Sequence, residues 1–228
     1  MSLKTRAFVF ATFFGSCLVV GLLVASLTTE YWVQAQAKRH NSSESEGKIN
    51  FGLFGGSKHL NVAYGWRLHE INVLSIIRDE PDVINYWLWL GTTFGTGFSI
   101  LASAISAVSS VIKSASSPST RKTGTMVVLF VSNFLSGLSQ ILAFVCWILQ
   151  FFQHLQHNVL VEADRTNQWY TTNNASLGHS FYFIVAGIVI VTINIILLSC
   201  AVKHERRVRT RVFDTPTDEK TQGAIMLY

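Results

Sequence analysis

Four uninterrupted apolar runs, at 7–28, 87–112, 125–152 and 181–202, contain no Lys, Arg, Asp or Glu. A helix needs about 20 predominantly apolar residues to cross the hydrocarbon core of a bilayer, so each run is long enough to span it. In lipid a segment must satisfy its own backbone N–H and C=O groups, and each run is therefore expected to be a helix. The rest divides into an N-terminus (1–6), a first outer loop (29–86), a short connection (113–124), a second outer loop (153–180) and a tail (203–228). A signal peptide is the competing reading of the first run, because Lys4 and Arg6 precede it and Val24 and Ser26 offer a small-residue cleavage site. The run exceeds an h-region of roughly 7–15 residues, which favours a retained helix.

Charge sets the expected orientation. The net charge of +5 gathers at segment ends, while charged residues are only 14% of the chain against 49% apolar. Lys4 and Arg6 lie before the first span, Lys113, Arg121 and Lys122 between the second and third, and Lys203, Arg206, Arg207, Arg209 and Arg211 after the fourth. The first outer loop sets six Lys and Arg against seven Asp and Glu, and the second has Arg165 against Glu162 and Asp164. Lys and Arg concentrate in cytoplasmic segments, so both termini and the short connection are expected in the cytosol. The two Asn-x-Ser/Thr sequons, at Asn41 and Asn174, then fall on the non-cytosolic side, where glycosylation occurs. No basic patch is interleaved with aromatics in a soluble segment, so nucleic acid is not an expected partner. Cys17, Cys146 and Cys200 all lie within apolar runs, which suits small packed side chains; Cys200 near the cytosolic face also suits palmitoylation.

The first outer loop is long enough to fold. Apolar residues alternate at Ile49, Phe51 and Leu53, and again at Leu60, Val62, Tyr64 and Trp66, around Gly55-Gly56-Ser57-Lys58-His59. This predicts a β-hairpin turning at the glycines. A lone hairpin is marginal, so a third strand at Tyr31, Val33 and Ala35 is expected beside it. Ile71, Leu74 and Ile77 predict a short helix over 70–77, closed by Pro81.

Two short elements here carry a family resemblance. Ser26-Leu-Thr-Thr-Glu-Tyr-Trp32 resembles the exit of the first helix in the claudin-like four-span superfamily, and Asn50-Phe-Gly-Leu-Phe-Gly-Gly56 resembles its glycine-leucine-aromatic element. Trp32, Gly52, Leu53 and Phe54 are the matching positions, and their role by resemblance is to shape the outer sheet. Within the superfamily the chain looks most like clarins, whose C-termini also end in a short apolar sequence finishing in an aromatic, as in Ala224-Ile-Met-Leu-Tyr228. The resemblance implies a membrane all-α four-helix transmembrane bundle with a small extracellular antiparallel β-sheet. It further implies a multi-pass protein of the plasma membrane or endosome, in sensory cells, organising membrane, actin cytoskeleton and traffic. The chain departs from claudins in having no cysteine pair in this loop, which counts against a tight-junction role.

Small and amide residues mark helix contacts in lipid. The second span carries Gly91-x-x-x-Gly95 and then Gly97, Ser99, Ala102, Ser103, Ser106 and Ala107; the first adds Gly15 and Ser16. Gly91 and Gly95 suit packing within the chain or self-association. Asn133, Gly137 and Gln140 share a face of the third span, and Asn194 sits within the fourth. These amides are expected to tie helices together, since a permeation path would more often show an ionisable residue. His154 and His157, at i and i+3, suit an interface better than a metal, lacking a second paired motif. Gly-x-Ser-x-Gly, the P-loop, Gly-x-Gly-x-x-Gly and His-Glu-x-x-His are all absent from the sequence. No catalytic residue, cofactor or metal is expected.

The tail is the expected place for cytosolic partners. Lys203, Arg206, Arg207, Arg209 and Arg211 suit anionic lipid headgroups, at about 1 kcal/mol per residue near the surface. Beyond them, 212–228 reads as disordered when free. Met226 and Tyr228 alternate toward a free carboxylate, the pattern a PDZ scaffold reads by strand addition. The resulting expectation is a non-enzymatic membrane organiser or adaptor. Its alternatives are an auxiliary subunit of an ion channel and a claudin-like cell-contact or adhesion protein.

Overall fold

A computed structural model describes residues 3–40, 42–61, 65–115, 123–171 and 173–213. Four long helices form: α1 (Leu3–Thr28), α3 (Tyr86–Ala115), α4 (Thr123–Gln150) and α6 (His179–Phe213). All four are long and apolar enough to cross a membrane. The chain is thus a membrane-embedded, multi-pass protein. α4 runs on through a π-helical turn, Phe151–Leu155, and α6 carries its helix through the basic segment instead of ending at 202. Nothing in the sequence from 203 to 213 breaks a helix; Pro216 is the first breaker.

α1 packs on α3 and α6, and α4 packs on α3 and α6, so the helices close a four-membered ring. Their outward faces stay apolar, as a lipid-facing surface must. At the end where α1 begins and α6 finishes, Val9, Leu129 and Leu198 form a small separate core.

At the other end the two outer loops build one antiparallel sheet. β1 (Val33–Arg39), β2 (Ser42–Phe51), β3 (Gly55–Asn61) and β4 (Trp66–Asn72) come from the first loop, and β5 (Trp169–Tyr170) and β6 (Ala175–Leu177) from the second. The order is β4-β3-β2-β1-β5, with β6 also on β1. β5 meets β1 at Lys38 and Arg39, and β6 meets it at Val33 to Ala35, so together they close that edge. β4 is the open edge.

Three expectations for the first loop need correction. The turn does not lie at Gly55–His59. It lies at 52–54, closed by the Gly52 N–H donating to the Gly55 carbonyl at 2.9 Å. Gly55 and Gly56 are strand residues, and a Cβ on Gly56 would sit 2.5 Å from the Asn50 carbonyl oxygen, so the glycine serves close strand approach and not the turn. Next, residues 60–66 are not one strand: β3 ends at Asn61 and β4 starts at Trp66, while Val62 and Tyr64 lie outside the described residues. Finally, the short helix starts three residues late, as α2 (Val73–Asp79). Glu70 and Ile71 pair with Ser57 and Gly56 across β3, and Asn72 caps α2, its Oδ1 accepting from the Leu74 N–H at 3.0 Å. The strand expected at Tyr31, Val33 and Ala35 forms as β1, beginning at Val33.

Candidate functional site

The sheet meets the bundle in one continuous core. Trp32 lies at its centre, fully buried, its ring 4.7 Å from that of Trp147 on α4 and 6.4 Å from that of Phe181 on α6. Its indole Nε1–H donates to the Ser26 carbonyl at 2.7 Å. That carbonyl is among the last four of α1, which have no partner within the helix, so the indole caps the helix it follows. The Gly52-Leu53-Phe54 turn reaches the same core from the other side. Leu53 is fully buried and its carbonyl accepts from the Trp89 Nε1–H of α3 at 2.8 Å. A Cβ on Gly52 would fall 2.9 Å from the Glu30 Cα and 3.0 Å from the Thr29 carbonyl oxygen, a space open only to glycine. Phe54 stays half-exposed, edge-on to Trp89 at 6.1 Å.

Below this junction a polar seam runs through the bundle. Gln140 Nε2 donates to Ser99 at 2.9 Å and to Ser136 at 3.1 Å; Ser136 lies 2.8 Å from both Ser99 and Ser103. One level on, Asn133 Nδ2 donates to Ser106 at 2.6 Å, and Ser16 donates to Ser106 at 3.0 Å. Asn194 Nδ2 donates to Asn133 at 3.4 Å, which brings α6 into the seam. Thr12 and Ser110, 3.1 Å apart, form its last rung. All of these side chains are buried. Gln140 Oε1 has no conventional partner and faces Gly187 of α6, where a Cβ would collide with it. Gly91 and Gly95 both face α4: Cβ atoms there would lie 2.7 Å from Cys146 Sγ and 2.7 Å from the Ser139 carbonyl oxygen.

Polar groups at the sheet end latch the two loops together. Lys58 of β3 pairs with Asp164 of α5 (Glu162–Thr166) at 2.6 Å, both side chains largely buried. The Glu80 carboxylate accepts from the Glu162 N–H at 2.9 and 3.0 Å. Gln150 accepts from the Asn85 N–H at 3.2 Å, and His154 Nδ1 lies 3.0 Å from the Asp82 carbonyl, to which it donates. His154 is thus committed to a loop carbonyl, while His157 is exposed. Removing either partner of the Lys58–Asp164 pair strands a charge in a largely buried place. A double-mutant cycle of Lys58→Met and Asp164→Asn, read by thermal unfolding in mild detergent, is expected to give a coupling of about 1–2 kcal/mol. A coupling near zero would show that the pair does not join the loops.

The remaining sequence candidates lie apart. Asn174 is exposed at the sheet edge, its carbonyl accepting from the Gln36 N–H at 3.1 Å. Lys203, Arg206 and Arg207 are exposed on the last turns of α6, whose backbone also includes Arg209 and Arg211. Cys17 and Cys200 are exposed on the bundle and Cys146 is partly buried, all three as free thiols. Asn41, Met226 and Tyr228 lie outside the described residues. Sequence reasoning missed Lys58 of β3, Glu80 after α2, Gln150 at the end of α4 and Asp164 of α5, whose partners are far off in the chain, and Thr12 and Ser110, which ordinary helix patterning conceals. No family model matches the chain, and no curated protein matches it.

Proposed function

We propose that this chain is a claudin-like tetraspan of the clarin type, a non-enzymatic organiser that couples a membrane to scaffold, cytoskeletal or trafficking partners. The observation that carries the reading is the junction. Trp32 and the Gly52-Leu53-Phe54 turn, the residues of the family resemblance, converge to fix a sheet drawn from both loops onto the bundle. The seam supports the same reading: apart from Gln140 Oε1, its hydroxyls and amides hydrogen-bond to one another or to helix carbonyls, which rigidifies a platform. On this proposal the sheet is extracellular with Asn41 and Asn174 open to glycosylation, the termini are cytosolic, and the residence is the plasma membrane or an endosome. The exposed cations of α6 meet anionic headgroups. A PDZ scaffold takes Ile225 to Tyr228.

The test is co-purification in mild detergent of the full chain against one lacking 225–228. A PDZ-containing scaffold recovered only with the intact end is the expected result. An unchanged partner set containing a channel or an adhesion protein would overturn the adaptor reading and move function to the bundle and sheet.

A further inference from the structure

The patch in question begins on α3. Its 30 residues span about 45 Å at 1.5 Å per residue, against a hydrocarbon core of about 30 Å. The helix is therefore longer than the core is thick, long enough for its first turn, from Tyr86 to Trp89, to reach headgroup level. Trp87, 74% exposed, heads a stripe that continues through Phe94, Leu101, Ile105 and Val108, all exposed and spaced to share one helix face. That stripe is the lipid-facing wall of α3, and Trp87 is its upper end.

Two segments of the first loop bring apolar side chains to the same level. Phe54, in the β2–β3 turn, touches Trp89, and Tyr86 lies 5.4 Å from Trp87 and 6.3 Å from Trp89. The Val73 N–H donates to the Phe54 carbonyl at 3.2 Å, which sets the exposed Leu74 of α2 beside Phe54. Phe54, Leu74, Tyr86 and Trp87 thus form a patch on the underside of the sheet, continuous with the membrane wall. Water is a poor neighbour for such a patch, and aromatic side chains concentrate at membrane interfaces. Arg78, exposed one turn after Leu74, adds a cation on the same short helix.

We infer that Phe54, Leu74, Tyr86 and Trp87 seat the sheet on the bilayer, with the headgroup–acyl boundary of the adjoining leaflet as the occupant of the patch. The inference is independent of the proposed function, since it concerns how the head meets lipid and not what it recruits. The seating fixes the height and tilt of the sheet relative to the membrane plane.

The test uses the full chain in lipid nanodiscs, with Cys17, Cys146 and Cys200 replaced by Ala and a nitroxide placed in turn at Phe54→Cys, Leu74→Cys, Trp87→Cys and Lys48→Cys. Lys48 is the reference, exposed on the far face of the sheet. Collisions with oxygen and with a water-soluble nickel chelate are then compared. Seating predicts high oxygen and low nickel access at 54, 74 and 87, with nickel access restored at 48. Nickel access at 54 and 74 equal to that at 48 would overturn the inference in favour of water. Exclusion of both quenchers would overturn it in favour of a protein partner or a second copy. A second measurement needs no cysteine replacement: tryptophan emission is quenched by lipid brominated high on its acyl chains. Trp87→Phe is expected to remove the larger part of the quenchable emission, and unchanged quenching would equally reject the seating.

Discussion

Trp32→Ala is expected to lower stability by about 3–5 kcal/mol, and to release the sheet from the bundle before the helices separate. The magnitude follows from what the indole does. It is fully buried between Trp147 and Phe181, and truncation leaves a cavity that neither the sheet nor the helices can fill without moving. The backbone bonds at this residue, from Trp32 N–H to Phe51 and from Gly178 N–H to Trp32, survive the substitution. The sheet therefore keeps its pairing and loses its anchor. Hydrogen exchange should rise in β1, β2 and β5 more than in α3 or α4, and unfolding in mild detergent should shift by the stated amount. A loss under about 1 kcal/mol, or exchange rising equally in every helix, would show that the junction lies elsewhere. Trp32→Phe separates the two contributions. It keeps most of the apolar volume but leaves the Ser26 carbonyl uncapped, a loss of about 1–2 kcal/mol.

That anchor shows what the sequence disclosed and what it withheld. The spans were legible because lipid imposes one requirement, a long uncharged stretch, and four stretches met it. The strand after Trp32 was legible from alternation at Val33 and Ala35, whose side chains pack inward on the core. The turn was misplaced because a glycine pair has two uses. At Gly55 and Gly56 it lets backbones approach, whereas the reversal is made by Gly52, Leu53 and Phe54, of which Leu53 is apolar because it points into the bundle. β5 and β6, of two and three residues, are too short to show any period. They exist because β1 offers an edge, a fact about the three-dimensional arrangement alone. The amides Asn133, Gln140 and Asn194 were legible as ties because polar groups in lipid need partners; the serines of α3 that receive Asn133 and Gln140 followed from the same stripe of small residues.

The seam and the junction are coupled through the tight contact of α3 with α4, and the second large effect is expected there. A Cβ on Gly95 would lie 2.7 Å from the Ser139 carbonyl oxygen and 3.2 Å from both the Cβ and the N of Ala143. Two of those three atoms are backbone, so a larger side chain cannot be accommodated by a rotamer change and the helices must part. Gly95→Leu is expected to destabilise the protein by about 2–3 kcal/mol, the upper part of the usual range for overpacking. Parting α3 from α4 also lengthens the Ser99–Ser136 contact one turn away, so Gln140 loses Ser99 and keeps only Ser136 of its own helix. Gly97 supplies the control on the same helix, since a Cβ there meets nothing within 4 Å. Gly97→Leu is expected to stay within about 0.5 kcal/mol of the parent. Gly91→Ala should fall between them, because its nearest neighbour is the Cys146 thiol, the end of a side chain that can turn away. Thermal unfolding of the three variants in one detergent, with chemical cross-linking to read oligomeric state, decides the matter. Equal stability of the Gly95 and Gly97 variants, with loss of a dimer in the first alone, would show that the glycine face serves self-association. A large loss confined to Gly95→Leu, with oligomeric state unchanged, places that face within the bundle, where the close approach of two backbones also holds the polar seam in register.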